Sequence, residues 1–146
     1  MSTSARTCLW YDGNAREAAD FYVSLLPDSE VTQDSGMVVE FTLCGTPCMG
    51  LNGGPEYTFS EAASIQVTLP DQESADTLWK ALTAEGDEGP CGWCKDRFGL
   101  SWQVVPNGLE EALTGGTDEQ NQRAMTKMRS MGRLDLQAIK DARDDS

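Results

Sequence analysis

Seven polar side chains stand at alternate positions of short apolar stretches, and with these the chain could do chemistry. Glu40 and Thr42 alternate with Val39, Phe41 and Leu43. Ser64, Gln66 and Thr68 alternate with Ile65, Val67 and Leu69. Ser101 and Gln103 alternate with Trp102 and Val104. A period of two puts each polar set on one face of a strand and each apolar set on the other. If those faces line a concavity, they orient a small ligand. If they do not, they are the wetted side of an antiparallel sheet. Glu40 is the one ionisable member. Partial desolvation would raise its pKa toward the range of a general base. The same carboxylate could instead anchor a cation or stay hydrated.

Other side chains offer further chemistry. Trp10 and Trp93 are candidates for stacking on an aromatic ligand or for a dimer contact, whereas Trp102, in phase with Val104, belongs in the core. Cys91-Gly92-Trp93-Cys94 has the spacing of a redox pair, but it precedes a strand and not the helix that would lower a thiol pKa. With Cys44 and Cys48 it could complete a four-thiolate zinc site, although the two pairs differ in spacing. Small apolar fillers are the expected role of these thiols. Five cysteines, an odd number, fit reduced thiols better than a disulfide framework. The chain has no histidine. That excludes Ser-His-Asp and Cys-His catalysis and any imidazole metal ligand.

The 146 residues suit one domain, 1–146. Lys and Arg number 11 against 24 Asp and Glu, a net charge of −13. Such a surface repels phosphate backbones and anionic lipid, so neither nucleic acid nor membrane is expected as a partner. The whole of the imbalance lies before residue 118, and no basic residue falls between Arg16 and Lys80. No apolar run has the length of a membrane span and the first residues lack an apolar signal core, which makes the cytoplasm the expected compartment.

The elements that must position these residues follow from punctuation and period. Thr7–Tyr11 reads as a strand, with Asn14 as the cap of a helix from Ala15 to Leu26 whose stripe is Ala18, Ala19, Phe21, Tyr22, Leu25 and Leu26. Strands Val38–Leu43 and Cys48–Leu51 follow, joined at Gly45-Thr46-Pro47. The pattern then restarts: a strand Ser64–Leu69, a helix carrying Ala75, Leu78, Trp79 and Leu82, a loop Gly86–Pro90, and a hairpin of Trp93–Phe98 and Leu100–Val105 hinged at Gly99. A shift of 57 superposes the two helices, and a shift of 54 places Gly45 on Gly99. The expected class is α+β: two βαβββ modules, 7–54 and 62–106, form a cupped, mostly antiparallel sheet with a helix behind each half. A helical tail, 107–146, follows, in which Met125, Met128 and Met131 form a packing stripe, with fraying expected from Asp141.

Several of these stretches resemble the PhnB-like proteins, also called the 3-demethylubiquinone-9 3-methyltransferase-like family. They are Leu9 to Ala15, Phe21 to Leu25, Leu51 to Pro55, Cys91-Gly92-Trp93 and Asp96 to Pro106. The resemblance covers roughly residues 7–140. It implies the glyoxalase-like fold of the vicinal oxygen chelate superfamily, usually as a homodimer, with a divalent metal held on the cup floor by His, Glu or Gln. Carried over by position, those ligands fall near Thr7, on Glu40, at Ile65 or Gln66, and on Gln103. Thr7 departs from the pattern. A metal, if any, would rest on Glu40, Gln66 and Gln103, and none is firmly expected.

Two functions therefore stay open. One is binding of a small organic molecule by Trp10, Thr42, Ser64, Gln66, Trp93, Ser101 and Gln103, as in metal-free, drug-sequestering relatives. The other is a metal-dependent lyase, isomerase or dioxygenase using Glu40 as catalytic base or ligand. No Gly-rich loop follows a parallel strand to seat S-adenosylmethionine, so methyl transfer is not expected as the activity.

Overall fold

Alternation decides the first element. In β1 (Thr7–Tyr11), Leu9 and Tyr11 are buried while Cys8 is exposed and Trp10 half-buried. The computed structural model describes residues 2–145. They fall into two units divided between Phe59 and Ser60, and no described helix is long and apolar enough to cross a membrane.

The first unit continues with α1 (Ala15–Leu25), β2 (Glu30–Asp34), β3 (Val38–Leu43) and β4 (Thr46–Asn52), in the sheet order β1-β4-β3-β2. β1 runs parallel to β4, and the other two pairings are antiparallel. Helix α1 lays Ala15, Ala18, Ala19 and Tyr22 on the sheet. The Tyr22 hydroxyl meets that of Tyr11 at 3.0 Å in the core. Asn14 stands at the N-cap position but makes no capping bond; Asn52 Oδ1 accepts the Ala15 N–H at 2.9 Å instead. The βαβββ order calls for a strand at β2, but no stretch of the sequence was read as that strand. It is an edge strand in which only Val31 is even half-buried, so it carries no apolar period to read.

The second unit repeats this order with β5 (Ser64–Leu69), α2 (Gln72–Thr83), β6 (Asp87–Glu88), β7 (Trp93–Lys95) and β8 (Ser101–Pro106), arranged β5-β8-β7-β6. Again the outer first strand pairs parallel to the last, and the rest are antiparallel. Asp71 caps α2 by accepting the Ser74 N–H at 2.7 Å. The two-residue β6 lies in the stretch expected as a loop. β7 stops at Lys95, three residues short of the expected Phe98. The reason is Asp96, whose carboxylate accepts the N–H groups of Phe98 and Leu100 at 2.8 and 3.1 Å and turns the chain, with Gly99 at φ +85°. Gly45 serves the matching β3–β4 turn at φ +78°.

Helices α3 (Leu109–Thr114), α4 (Asp118–Arg129) and α5 (Leu136–Asp144) form the tail. Ala112, Ala124, Leu134 and Ile139 make its core, with Met128 and Met131 packed against it; Met125 is half-buried outside that cluster. Backbone bonds from Cys91 to Met131 and Gly92 to Gly132, both 2.8 Å, tie the tail to its sheet. Helix α5 continues through Asp144, into the segment expected to fray, whose last residue, Ser146, lies outside the described residues.

Candidate functional site

Strand register collects the predicted residues into rows. In the first unit, Cys8 of β1 neighbours Met49 of β4, which neighbours Glu40 of β3, which neighbours Gln33 of β2. The next row is Trp10, Leu51 and Val38. Glu40 and Thr42 thus share the face opposite α1 with Trp10. The Glu40 carboxylate is ion-paired with Arg6, a partner 34 residues away that no local pattern announced. Trp10 is pinned: its indole N–H donates to Gly54 O at 2.8 Å, and Tyr57 meets its ring edge-on at 4.9 Å. Gly53 has to be glycine, because a Cβ there would lie 2.3 Å from the Trp10 ring.

In the second unit one row is Ser64, Ser101, Lys95 and Asp87; the next is Gln66, Gln103 and Trp93. Their amides and hydroxyls are joined. Gln66 Nε2 donates to Gln103 Oε1 at 3.2 Å, and Gln103 Nε2 donates to Ser64 Oγ at 2.9 Å. Ser101 departs from expectation. It was read as part of a wetted face, yet it is 1% exposed. The reason is its place on β8, a central strand, between Ser64 and Lys95. Its Oγ has no hydrogen-bond partner among the described residues. A buried hydroxyl without a partner is costly and calls for an explanation.

Ser101 borders a cavity of about 360 Å³, together with Trp93, Lys95, Glu61, Asp87 and Glu88. Lys95 is ion-paired with Glu61 and holds its carboxyl below the ordinary carboxylate range. Glu88 accepts the Trp79 indole N–H at 3.0 Å. The sequence reading missed Lys95, Glu61, Asp87 and Glu88. Lys95 alone carried a signal, standing two positions from Trp93 on the same strand face. The acidic residues lie outside the strands that alternation identified.

The thiols carry no shared chemistry. All five are free, and Cys94 is buried, its thiol pushed up to about 12 by burial and then by Asp96 and Glu88. Such a thiol is protonated and a poor nucleophile or metal ligand. The metal implied by the resemblance does not fit the residues present. The Glu40 carboxylate is engaged by a guanidinium, and the Gln103 side-chain oxygen already accepts from Gln66 while its amide nitrogen donates to Ser64. No group of three His, Cys, Asp or Glu among the described residues could hold a metal.

Residues 3–105 match the family model described as 3-demethylubiquinone-9 3-methyltransferase. The match leaves the tail outside it, whereas the resemblance extended to about residue 140. A PhnB protein from Bacillus cereus is 28% identical, with a TM-score of 0.64 over 71% of this chain and 99% of its own. Protein PA1353 from Pseudomonas aeruginosa is 21% identical, with a TM-score of 0.59 over 72% and 98%. The fosfomycin resistance protein FosX from Listeria monocytogenes shares the fold at 15% identity, with a TM-score of 0.54 over 76% and 98%. No curated protein matches the chain.

Proposed function

The chain belongs to the 3-demethylubiquinone-9 3-methyltransferase family, the PhnB-like branch of the glyoxalase, bleomycin resistance and dioxygenase superfamily, and from that premise we propose that it binds a small organic molecule beside β7 and β8, without a metal. The observation that carries the reading is that Ser101, whose buried hydroxyl has no partner among the described residues, borders a cavity with Trp93. A cavity of about 360 Å³ falls at the small end of the range that ligand sites occupy. An aromatic wall and a few fixed polar groups are what such sites use for affinity and orientation. The Gln66–Gln103–Ser64 chain supports the same reading, because each amide is held in one orientation by its neighbour.

Methyl transfer gains no support from the glycines that could have suggested a cofactor loop. Gly53 makes room for Trp10, and the Gly54 carbonyl accepts its indole N–H. A homodimer is part of the proposal and rests on the family alone.

Native mass spectrometry of the purified protein tests the reading. The expected result is an organic adduct retained under native conditions, released on denaturation and reduced in Trp93→Ala. Stoichiometric manganese, nickel, zinc or iron removed by Glu40→Ala would overturn it in favour of a metal-dependent enzyme.

A further inference from the structure

We propose that the cavity beside β7 selects a small organic cation, an ammonium group carried on an apolar body, over anions and neutral molecules of the same shape. The inference rests on the binding reading above and names the class of its ligand.

Charge is the first ground. Three carboxylates, Glu61, Asp87 and Glu88, line the cavity, and among the described residues Lys95 is the only cationic side chain that does. Lys95 is ion-paired with Glu61, which balances its charge locally. Glu88 receives a neutral donor, the Trp79 indole N–H, which orients the carboxylate without cancelling its charge. Asp87 stands directly across the β6–β7 ladder from Lys95. Two negative charges are thus left in excess. The field of the whole chain, at −13, has the same sign and raises the local concentration of cations.

Two uncharged groups convert that field into a site. Trp93 is half-buried and offers an indole, the best of the aromatic faces for a cation. The Ser101 hydroxyl is buried with no partner among the described residues, and an ammonium N–H would supply the hydrogen bond it lacks. An anion would meet the carboxylates unpaired. A neutral isostere could satisfy Ser101 but would leave the excess charge uncompensated.

Calorimetric titration of the full chain with 2-phenylethylammonium, 2-phenylethanol and phenylacetate tests this. The three probes share one apolar body. The expected result is that the ammonium probe binds at least about tenfold more tightly than the alcohol, that phenylacetate binds most weakly, and that added salt narrows the difference. Asp87 is exposed, so Asp87→Asn and Asp87→Lys keep the fold; each is expected to weaken ammonium binding, the lysine more. Equal or tighter binding of the alcohol or the carboxylate, still lost in Trp93→Ala, would overturn the cation preference and leave the binding reading standing. Ammonium binding unaffected by Asp87→Lys would overturn it as well. Failure of all three probes would overturn the ligand class, while the co-purifying adduct judges the binding reading separately.

Discussion

The Asp96 carboxylate accepts the indole N–H of Trp102 at 2.8 Å, and both residues are buried, at 3% and 0% exposure. The same carboxylate accepts two backbone N–H groups of the β7–β8 turn. One side chain therefore ends β7, shapes the turn and anchors the largest fully buried residue of the sheet. Asp96→Ala would take away the acceptor that the buried Trp102 indole and Leu100 backbone donors now use. The expected cost is about 2–4 kcal/mol, read from urea unfolding by tryptophan fluorescence. Asp96→Asn, which keeps an acceptor oxygen, is expected to lose less.

Burial keeps Cys94 protonated. Labelling of the native protein at pH 8 with a thiol-specific reagent is expected to modify the exposed Cys8 and Cys44 quickly and Cys94 only after unfolding. The same shift has a stability consequence. The folded-state value is raised, so folding retains a proton that the unfolded chain releases. The contribution is complete below the ordinary thiol range and falls as pH rises from there to about 12. Cys94→Ala should flatten the alkaline limb of the stability profile; an unchanged limb would assign the loss to other groups.

Gly53→Ala places a methyl group 2.3 Å from the Trp10 ring. The ring must leave its bond to Gly54 O and its contact with Tyr57. A loss of about 1–3 kcal/mol is expected, with a shift in tryptophan emission. A silent substitution would mean that the 53–57 segment moves in place of the indole.

The tail packs through Ile139, which is fully buried. Ile139→Ala should cost about 2–5 kcal/mol in the unfolding of the full chain. Truncation after Thr117 removes Ala124, Leu134 and Ile139 of that cluster together with the bonds to Cys91 and Gly92. It is expected to lower the unfolding temperature and loosen the second unit; a truncated chain as stable as the parent would refute a packing role for the tail.

Much of the architecture was legible because its signals are local. The polar–apolar alternation of β3, β5 and β8 marked both faces, and the shift of 57 between the helices marked the repeated order. The edge strands β2 and β6 were not legible. Each has one ladder neighbour and few buried side chains, so no apolar period is needed to make it. Asn14 had the right residue type for a cap, but its helix is capped from Asn52, 38 positions on. Ser101 had the right phase for an open face, but it lies on a central strand between Ser64 and Lys95 and is buried there.

By itself, then, the sequence determined which face of each strand each side chain takes, because strand stereochemistry alternates whatever the chain does elsewhere. It also determined the acidity of the body and the absence of imidazole. Only the tertiary structure decided which of those groups meet. Arg6 finds Glu40 across 34 residues, and Gln103 finds Gln66 and Ser64 across 37 and 39. Those meetings depend on strand order and register, which arise when two apolar faces close on their helices and which no single segment encodes. The cavity at Trp93, bordered by Ser101 and by three carboxylates beside one lysine, is a product of that closure.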